Sequence, residues 1–407
     1  MSDIKEKYEE LKAKNLNIDM TRGKPSEKQL ALSEHLLNMD FSYTGADGVD
    51  VRNYGLLEGI FEARKLMGEL MEEPAEYVFV VGSSSLTLMH DAVSRAMLFG
   101  VCGEKPWSQL ETVKFLCPVP GYDRHFKICE NFGIEMINID MTGDGPCMDA
   151  VEKTCAEDAS VKGIWCVPQY SNPTGVTYSD ETVRRLASME TAAPDFRIFW
   201  DNAYCVHHLF DEAEKHDHVL DIGKACREAG NDTRFFKFSS LSKVTFPGAA
   251  IAAFAASPEN MADAKVHMSA QMIGSDKINQ MKHALFLKNK AGVLEHMKRH
   301  AEIMRPKFEV VEQVLSEELA EADYCSWSKP KGGYFISFNA KQGTAKRVVE
   351  IASELGVKFT QAGATYPYGE DPNDENIRIA PSLPTVSEVK DATSVLALAT
   401  KIAADES

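Results

Sequence analysis

Phe235-Phe236-Lys237-Phe238-Ser239-Ser240-Leu241-Ser242-Lys243 is the stretch that decides how the rest of the chain reads. It opens as an aromatic strand, breaks into serines and closes on a lysine. A strand that stops in a hydroxyl-rich turn sets its last side chains at the carboxyl edge of a sheet, where α/β proteins bind ligands. A lysine desolvated there loses its proton near neutral pH and attacks carbonyl carbons, forming imines. On its own the pattern is weak, because a surface lysine after a strand looks the same.

Two upstream runs end in the same manner. Ile198-Phe199-Trp200-Asp201-Asn202-Ala203-Tyr204 is apolar, then acidic, with a tyrosine three residues beyond the acid. Gly163-Ile164-Trp165-Cys166-Val167-Pro168 leads to the turn Asn172-Pro173-Thr174-Gly175. The interval between that turn and Asp201 has room for one helix and one strand, as a βαβ unit requires. Three successive strand ends thus offer Asn172, Asp201 with Tyr204, and Lys243. Pyridoxal-phosphate (PLP) chemistry needs an acid at the pyridine nitrogen, donors at the phenolic oxygen and an imine-forming lysine. Each role has a candidate, in an order that fits one sheet edge.

With those residues in view, the chain resembles a fold-type I, class I PLP-dependent aminotransferase over essentially its whole length. It is most similar to the bacterial subgroup Ic of aspartate aminotransferases. The resemblance is carried by Thr21-Arg22-Gly23-Lys24-Pro25, Asn53-Tyr54-Gly55-Leu56-Leu57-Glu58-Gly59, Gly82-Ser83-Ser84-Ser85 and Pro118-Val119-Pro120-Gly121-Tyr122-Asp123-Arg124-His125. It continues through the Asn172 turn, Asp201-Asn202-Ala203-Tyr204, Ser240-Leu241-Ser242-Lys243 and Asn376-Ile377-Arg378-Ile379-Ala380-Pro381-Ser382. It implies a large domain with a mostly parallel, seven-stranded sheet, a small α/β domain, and a homodimer with shared active sites.

Composition agrees with a soluble enzyme. At 407 residues the chain is long enough for more than one core. Its formal net charge of -17 argues against nucleic acid or an anionic membrane as a partner. Nine cysteines show no CxxC pairing and no ligand spacing with histidine, which predicts reduced thiols, no metal site and a cytoplasmic location. The charged start, Met1-Ser2-Asp3-Ile4-Lys5-Glu6-Lys7-Tyr8, is unlike a secretory signal. Ile4, Tyr8 and Leu11 share one helical stripe there.

Strand candidates at 77–81, 113–117, 135–139, 163–167, 197–200, 235–238 and 249–255 alternate with helical patterns, the signature of a sheet covered on both faces. Leu86–Phe99 reads as a helix entered from the serine run. A long helix over about 291–319, with Pro306 expected to kink it, leads to a smaller unit holding Gly332–Phe338 and a terminal helix after Ser387. The expected division is 1–40 joining the small domain, 41–300 as the large PLP-binding domain and 301–407 as the small C-terminal domain.

The roles follow from the chemistry and the resemblance together. Lys243 is the imine-forming residue and then the proton carrier at the substrate Cα, since exchange of the imine frees its amine beside that carbon. Asp201 holds the pyridine nitrogen protonated; its alternative is a helix cap. Tyr204 and Asn172 donate to the phenolic oxygen, although asparagine is also common in Pro-containing turns for backbone reasons. Ser83, Ser84 and Ser85, at a helix start, and Ser240 and Ser242 receive the phosphate. Tyr122 stacks on the ring, or else is a core tyrosine. Gly23, Asn172 and Arg378 bind the substrate, the guanidinium of Arg378 matching its α-carboxylate; an ion pair within the small domain is the alternative for Arg378. By resemblance Tyr54 reaches the phosphate of the neighbouring subunit. His207 and His208 read as packing or surface residues on opposite faces of an extended strand.

One position departs from the family pattern. Most class I aminotransferases place a phosphate-binding arginine eight residues after the lysine, and here that residue is Ile251. Either the serines, backbone amides and helix dipole suffice, or another cation substitutes, for which Lys277 of a partner subunit is the candidate. Aspartate or glutamate with 2-oxoglutarate is the favoured substrate pair. Arg22, Lys24, Arg124 and Lys277 all remain open as the cation for a distal carboxylate. Rival readings are an alanine or aromatic aminotransferase, a carbon–sulfur lyase, and a PLP-sensing regulatory domain. The last needs a basic DNA-binding segment for which the acidic chain has no room before residue 21. A nicotinamide dehydrogenase lacks its GxGxxG turn here.

Overall fold

The computed structural model describes residues 2–407. Its main sheet has eight strands, in the spatial order Val78–Val80, Ala252–Ala256, Phe235–Ser240, Arg197–Asp201, Val161–Cys166, Lys114–Val119, Glu135–Thr142 and Gly145–Pro146. Seven match the expected strands and Gly145–Pro146 is a two-residue addition. The five from Phe235–Ser240 to Glu135–Thr142 run parallel. Ala252–Ala256 is antiparallel to both its neighbours, so Val78–Val80 points the same way as the parallel set. The turns after Val80, Cys166, Asp201 and Ser240 therefore gather at one edge.

The parallel strands are near-continuous apolar runs because helices cover both faces. On one face Phe115, Trp165, Phe199, Phe236, Phe238 and Phe254 pack beneath the helix Ser85–Phe99. On the other, Leu116, Ile164, Ile198, Trp200 and Phe235 meet the helices Met148–Glu157, Asp180–Ser188 and Ile222–Glu228. Side chains alternate along a strand, so Asp201 falls on the Phe199 side and Lys237 on the Trp200 side. Lys237 is buried there in ion pairs with Glu73 and Asp221.

The last predicted strand begins at Ala252 rather than at residue 249, because Phe246-Pro247-Gly248 keeps the chain in a turn. Lys290–Leu319 is one unbroken helix of 30 residues with Pro306 inside it. It packs on the terminal helix Val386–Glu406. A three-stranded antiparallel sheet joins Ser326–Trp327, Ile336–Asn339 and Asn376–Ile379. At the other end of the chain, Ile18–Asp19 pairs in parallel with Val357–Lys358. No described helix is long and apolar enough to cross a membrane, and all nine cysteines are free.

Candidate active site

The gathered strand ends enclose a cavity of about 250 Å3 lined by Ser84, Ser85, Tyr122, Asn172, Asp201, Tyr204, Ser240, Ser242 and Lys243, together with Leu86, Val167, Ala203 and Pro247. A larger cavity of about 670 Å3 lies past the Asn202–His208 turn, against Trp200 and Leu294, and holds none of these groups.

The Lys243 amine lies over the rings of Tyr204 and Tyr334, 5.1 and 6.0 Å from their centroids. Burial pushes its pKa below the usual lysine range; the nearby Asp201 charge works against the shift and Arg378 adds to it. A folded-state environment of this kind favours the free amine, the form that attacks a carbonyl.

Asp201 ends its strand only 3% exposed. Its Oδ2 lies 3.1 Å from His125 Nε2, while Oδ1 is buried without a hydrogen-bond partner among the described residues. A buried carboxylate oxygen without a donor costs on the order of 1–3 kcal/mol, and it borders the same cavity as Lys243. The pyridinium N–H of PLP is a donor of the kind this atom lacks. His125 is a site residue to which the sequence reading gave no role. It stacks on Trp165 at 4.5 Å and meets Tyr122 edge-on at 5.0 Å. The signal was its place three residues after Tyr122, one helical turn along Asp123–Phe132.

Tyr122 borders the cavity with its hydroxyl pushed up to about 12, by burial first and then by the charges of Asp201 and Asp123. Burial likewise raises Tyr204 well above the ordinary tyrosine range. Both therefore stay protonated and able to donate. Ser84 caps and Ser85 begins the 15-residue helix Ser85–Phe99, and both line the cavity, so the helix starts at its wall. Ser240 Oγ bonds Ser242 Oγ at 3.0 Å, and Ser242 Oγ donates to the Ser83 carbonyl at 3.1 Å. Ser83 thus meets the site through its main chain, and its side chain is not part of the lining.

Arg378, 5% exposed, comes from the small sheet and meets the cavity through its contact with the lining residue Asn172. Nη1 donates to Asp123 Oδ1 at 2.9 Å and to Asn172 Oδ1 at 3.4 Å; Nη2 donates to the Thr21 carbonyl and Thr360 Oγ1, both at 3.3 Å. Nε is buried without a partner among the described residues, and the guanidinium lies 4.9 Å from the Phe335 ring centroid. Gly23 is adjacent, where a Cβ would come within 2.7 Å of Phe335, so any larger residue displaces that ring.

Tyr54 is not at this cavity. It is 83% exposed, on a surface hollow shared with Arg52, Gly55 and residues 274–278. Lys277 lies there too, its Nζ donating to the Gly55 carbonyl at 3.0 Å. Ser275 Oγ accepts from the Gly82 N–H at 3.0 Å. Ile251 is buried among Val78, Val80, Leu241 and Val244. His207 follows the turn at 203–206, its N–H donating to the Tyr204 carbonyl, and His208 forms a single antiparallel bridge with Gly332, so the expected extended strand is reduced here to one bridge. His207 packs against Tyr204 and Tyr334, and His208 stacks on His216 at 3.7 Å. Behind Tyr334 a buried polar chain runs through Gln29 and His300 to His296. Among the described residues no His, Cys, Asp or Glu cluster is arranged to hold a metal.

The aspartate amino-transferase family model matches residues 1–407. The chain belongs to that family. It is therefore a transaminase, in the fold-type I architecture that its sheet displays. It is 46% identical over 407 residues to an aspartate aminotransferase of Corynebacterium glutamicum, covering 99% of this chain and 93% of that one. A crystal structure of an aspartate transaminase from the same organism superposes with a TM-score of 0.96 at 46% identity, covering 100% of this chain and 95% of the other. The α-aminoadipate aminotransferase of Thermus thermophilus, solved with N-(5'-phosphopyridoxyl)-L-leucine, shares the fold at a TM-score of 0.76 and 20% identity, over 96% of this chain and 94% of that one.

Proposed function

We propose that this transaminase uses PLP held by Lys243, takes its amino group from aspartate or glutamate, and passes it to a 2-oxo acid such as 2-oxoglutarate. One observation carries the cofactor reading: the partnerless, buried Oδ1 of Asp201 borders the same cavity as the Lys243 amine. The family and the phosphopyridoxyl adduct of the Thermus relative favour the same cofactor. Bound there, PLP supplies a carbonyl that condenses with amines and a ring that withdraws electrons from the carbon bearing the nitrogen.

The chain's own groups do the rest. Asp201, oriented by His125, keeps a proton on the pyridine nitrogen. Asn172 and Tyr204, which line the cavity, would donate to the phenolic oxygen of the bound cofactor, and Tyr122 would stack on its ring. Ser84, Ser85, Ser240, Ser242 and the helix start receive the phosphate. Lys243 would hold the carbonyl of the cofactor, and its amine, when free, would be the base and acid that moves the substrate Cα proton. Arg378 grips the α-carboxylate next to Gly23 and Asn172. The dicarboxylate preference rests on the 46% relative named an aspartate aminotransferase.

The functional unit on this reading is a cytoplasmic homodimer. Each cavity is completed by Tyr54 of the partner subunit, and the partner's Lys277 supplies the phosphate cation that Ile251 does not. The exposure of Tyr54 and the place of the buried Lys277 beside it, lining the same surface hollow, support this pairing. The same reading divides the chain into 1–40, 41–300 and 301–407, the first segment joining the third as the Ile18–Val357 pairing suggests.

The test is a screen of single amino acids against the loaded enzyme, following the absorbance change from the pyridoxal to the pyridoxamine form. Rapid conversion by aspartate or glutamate is expected. Conversion only by alanine or aromatic amino acids overturns the substrate. Pyruvate and ammonia released without a 2-oxo acid acceptor would mark a lyase.

A further inference from the structure

Arg378 is engaged by groups of its own chain. Asp123 Oδ1 sits 2.9 Å from its Nη1 and is its only anionic partner among the described residues. Its other contacts, Asn172, the Thr21 carbonyl and Thr360, are neutral. A guanidinium this deeply buried is costly without a counter-charge. Once an α-carboxylate binds, however, two anions face one cation.

The two partners differ in their freedom. Arg378 is fixed on several sides, by the Phe335 ring as well as by the neutral acceptors. Asp123 is 29% exposed and is the first residue of the helix Asp123–Phe132. The positive end of the helix dipole stabilises its charge wherever the side chain turns. Arg124 offers a second cation, with Nε 3.9 Å from Asp123 Oδ2. Asp123 can therefore leave Arg378 without leaving its charge unpaired.

We propose that Asp123 is an internal stand-in for the substrate carboxylate, occupying Arg378 in the empty site and turning toward Arg124 and solvent when a carboxylate ligand binds. It is a positioning residue that also sets affinity. It preserves the geometry of a buried arginine at the cost of competing with every substrate. This inference rests on the assignment of Arg378 to the α-carboxylate.

The test measures succinate, a dicarboxylate with no amino group to transfer, binding to PLP-loaded enzyme by titration calorimetry. Asp123→Asn and Asp123→Ser should each bind succinate on the order of fivefold more tightly, the worth of one partly exposed ion pair. Tighter binding should appear as a lower KM for the amino acid with kcat changed less. A residue that merely held Arg378 in place would weaken binding when removed. Unchanged or weaker binding in both folded variants overturns the inference. Arg378→Gln separates the two levels. If it binds succinate as the unaltered enzyme does, the arginine assignment has failed. If it loses binding while the Asp123 variants show no gain, only the stand-in role has failed.

Discussion

Asp201→Asn is the substitution that tests the cofactor site most directly. The carboxylate is buried, one oxygen pairs with His125 at 3.1 Å, and the other has no donor among the described residues. Asparagine keeps the shape and can keep one bond to His125, but it removes the charge. A hydrogen bond to a charged group contributes about 1.5–3 kcal/mol and a neutral one about 1. The difference is about 1–2 kcal/mol, or roughly five- to thirtyfold in PLP affinity. Equilibrium dialysis of the apoprotein against PLP measures this, with folding checked by circular dichroism. The amino-acid half-reaction should slow as well, because a ring nitrogen without its carboxylate holds its proton less firmly. Removing the negative charge also lowers the Lys243 pKa further, since Asp201 is the group that opposes the burial effect. If Asp201→Asn takes up PLP as tightly as the unaltered chain, the vacant oxygen is not the ring-nitrogen site.

Three further outcomes follow from the geometry. Lys243→Ala and Tyr54→Ala should each be nearly inactive alone, yet mixed dimers should recover activity, because one of their two sites has both residues; no gain on mixing refutes the shared site. Lys277→Ala should weaken PLP binding on the order of tenfold, the loss of one charge-assisted phosphate contact, and unchanged affinity removes the lysine from the phosphate. Burial holds His300 down to about 3 and His296 to about 4, with Arg299 adding to both. An unfolded histidine titrates near 6.5. Between that value and about 4 the unfolded chain binds more protons, so stability falls as the pH falls through the window. Apoprotein carrying His296→Gln and His300→Gln should show a flatter Tm profile between pH 4 and 7, and an unaltered slope would contradict the buried-histidine account.

The large sheet was legible because its strands are apolar on both faces and each ends in a chemically distinct turn. Asp201, Tyr204, Asn172 and Lys243 were nameable from those turns, and they line one cavity. His125 escaped notice because a histidine inside an amphipathic helix gives no sign of what it faces. The antiparallel direction of Ala252–Ala256 was hidden because the strand is apolar like the parallel strands of the same sheet. His207 and His208 are packing residues as their sequence suggested, but the turn at 203–206 before them is set by distant partners, the Tyr334 ring against His207 and the Gly333 N–H donating to the His207 carbonyl.

Sequence alone determined which reactive groups stand at the strand ends, a lysine, an acid and their hydroxyl neighbours, because the intrinsic reactivity of a side chain belongs to its residue type. Tertiary structure decided how those groups are tuned. Only packing brings Arg378 across 255 positions of chain onto Asp123, leaves one oxygen of Asp201 without a donor among the described residues, and buries the Lys243 amine. Those are properties of neighbours distant in the chain, and local pattern does not encode them.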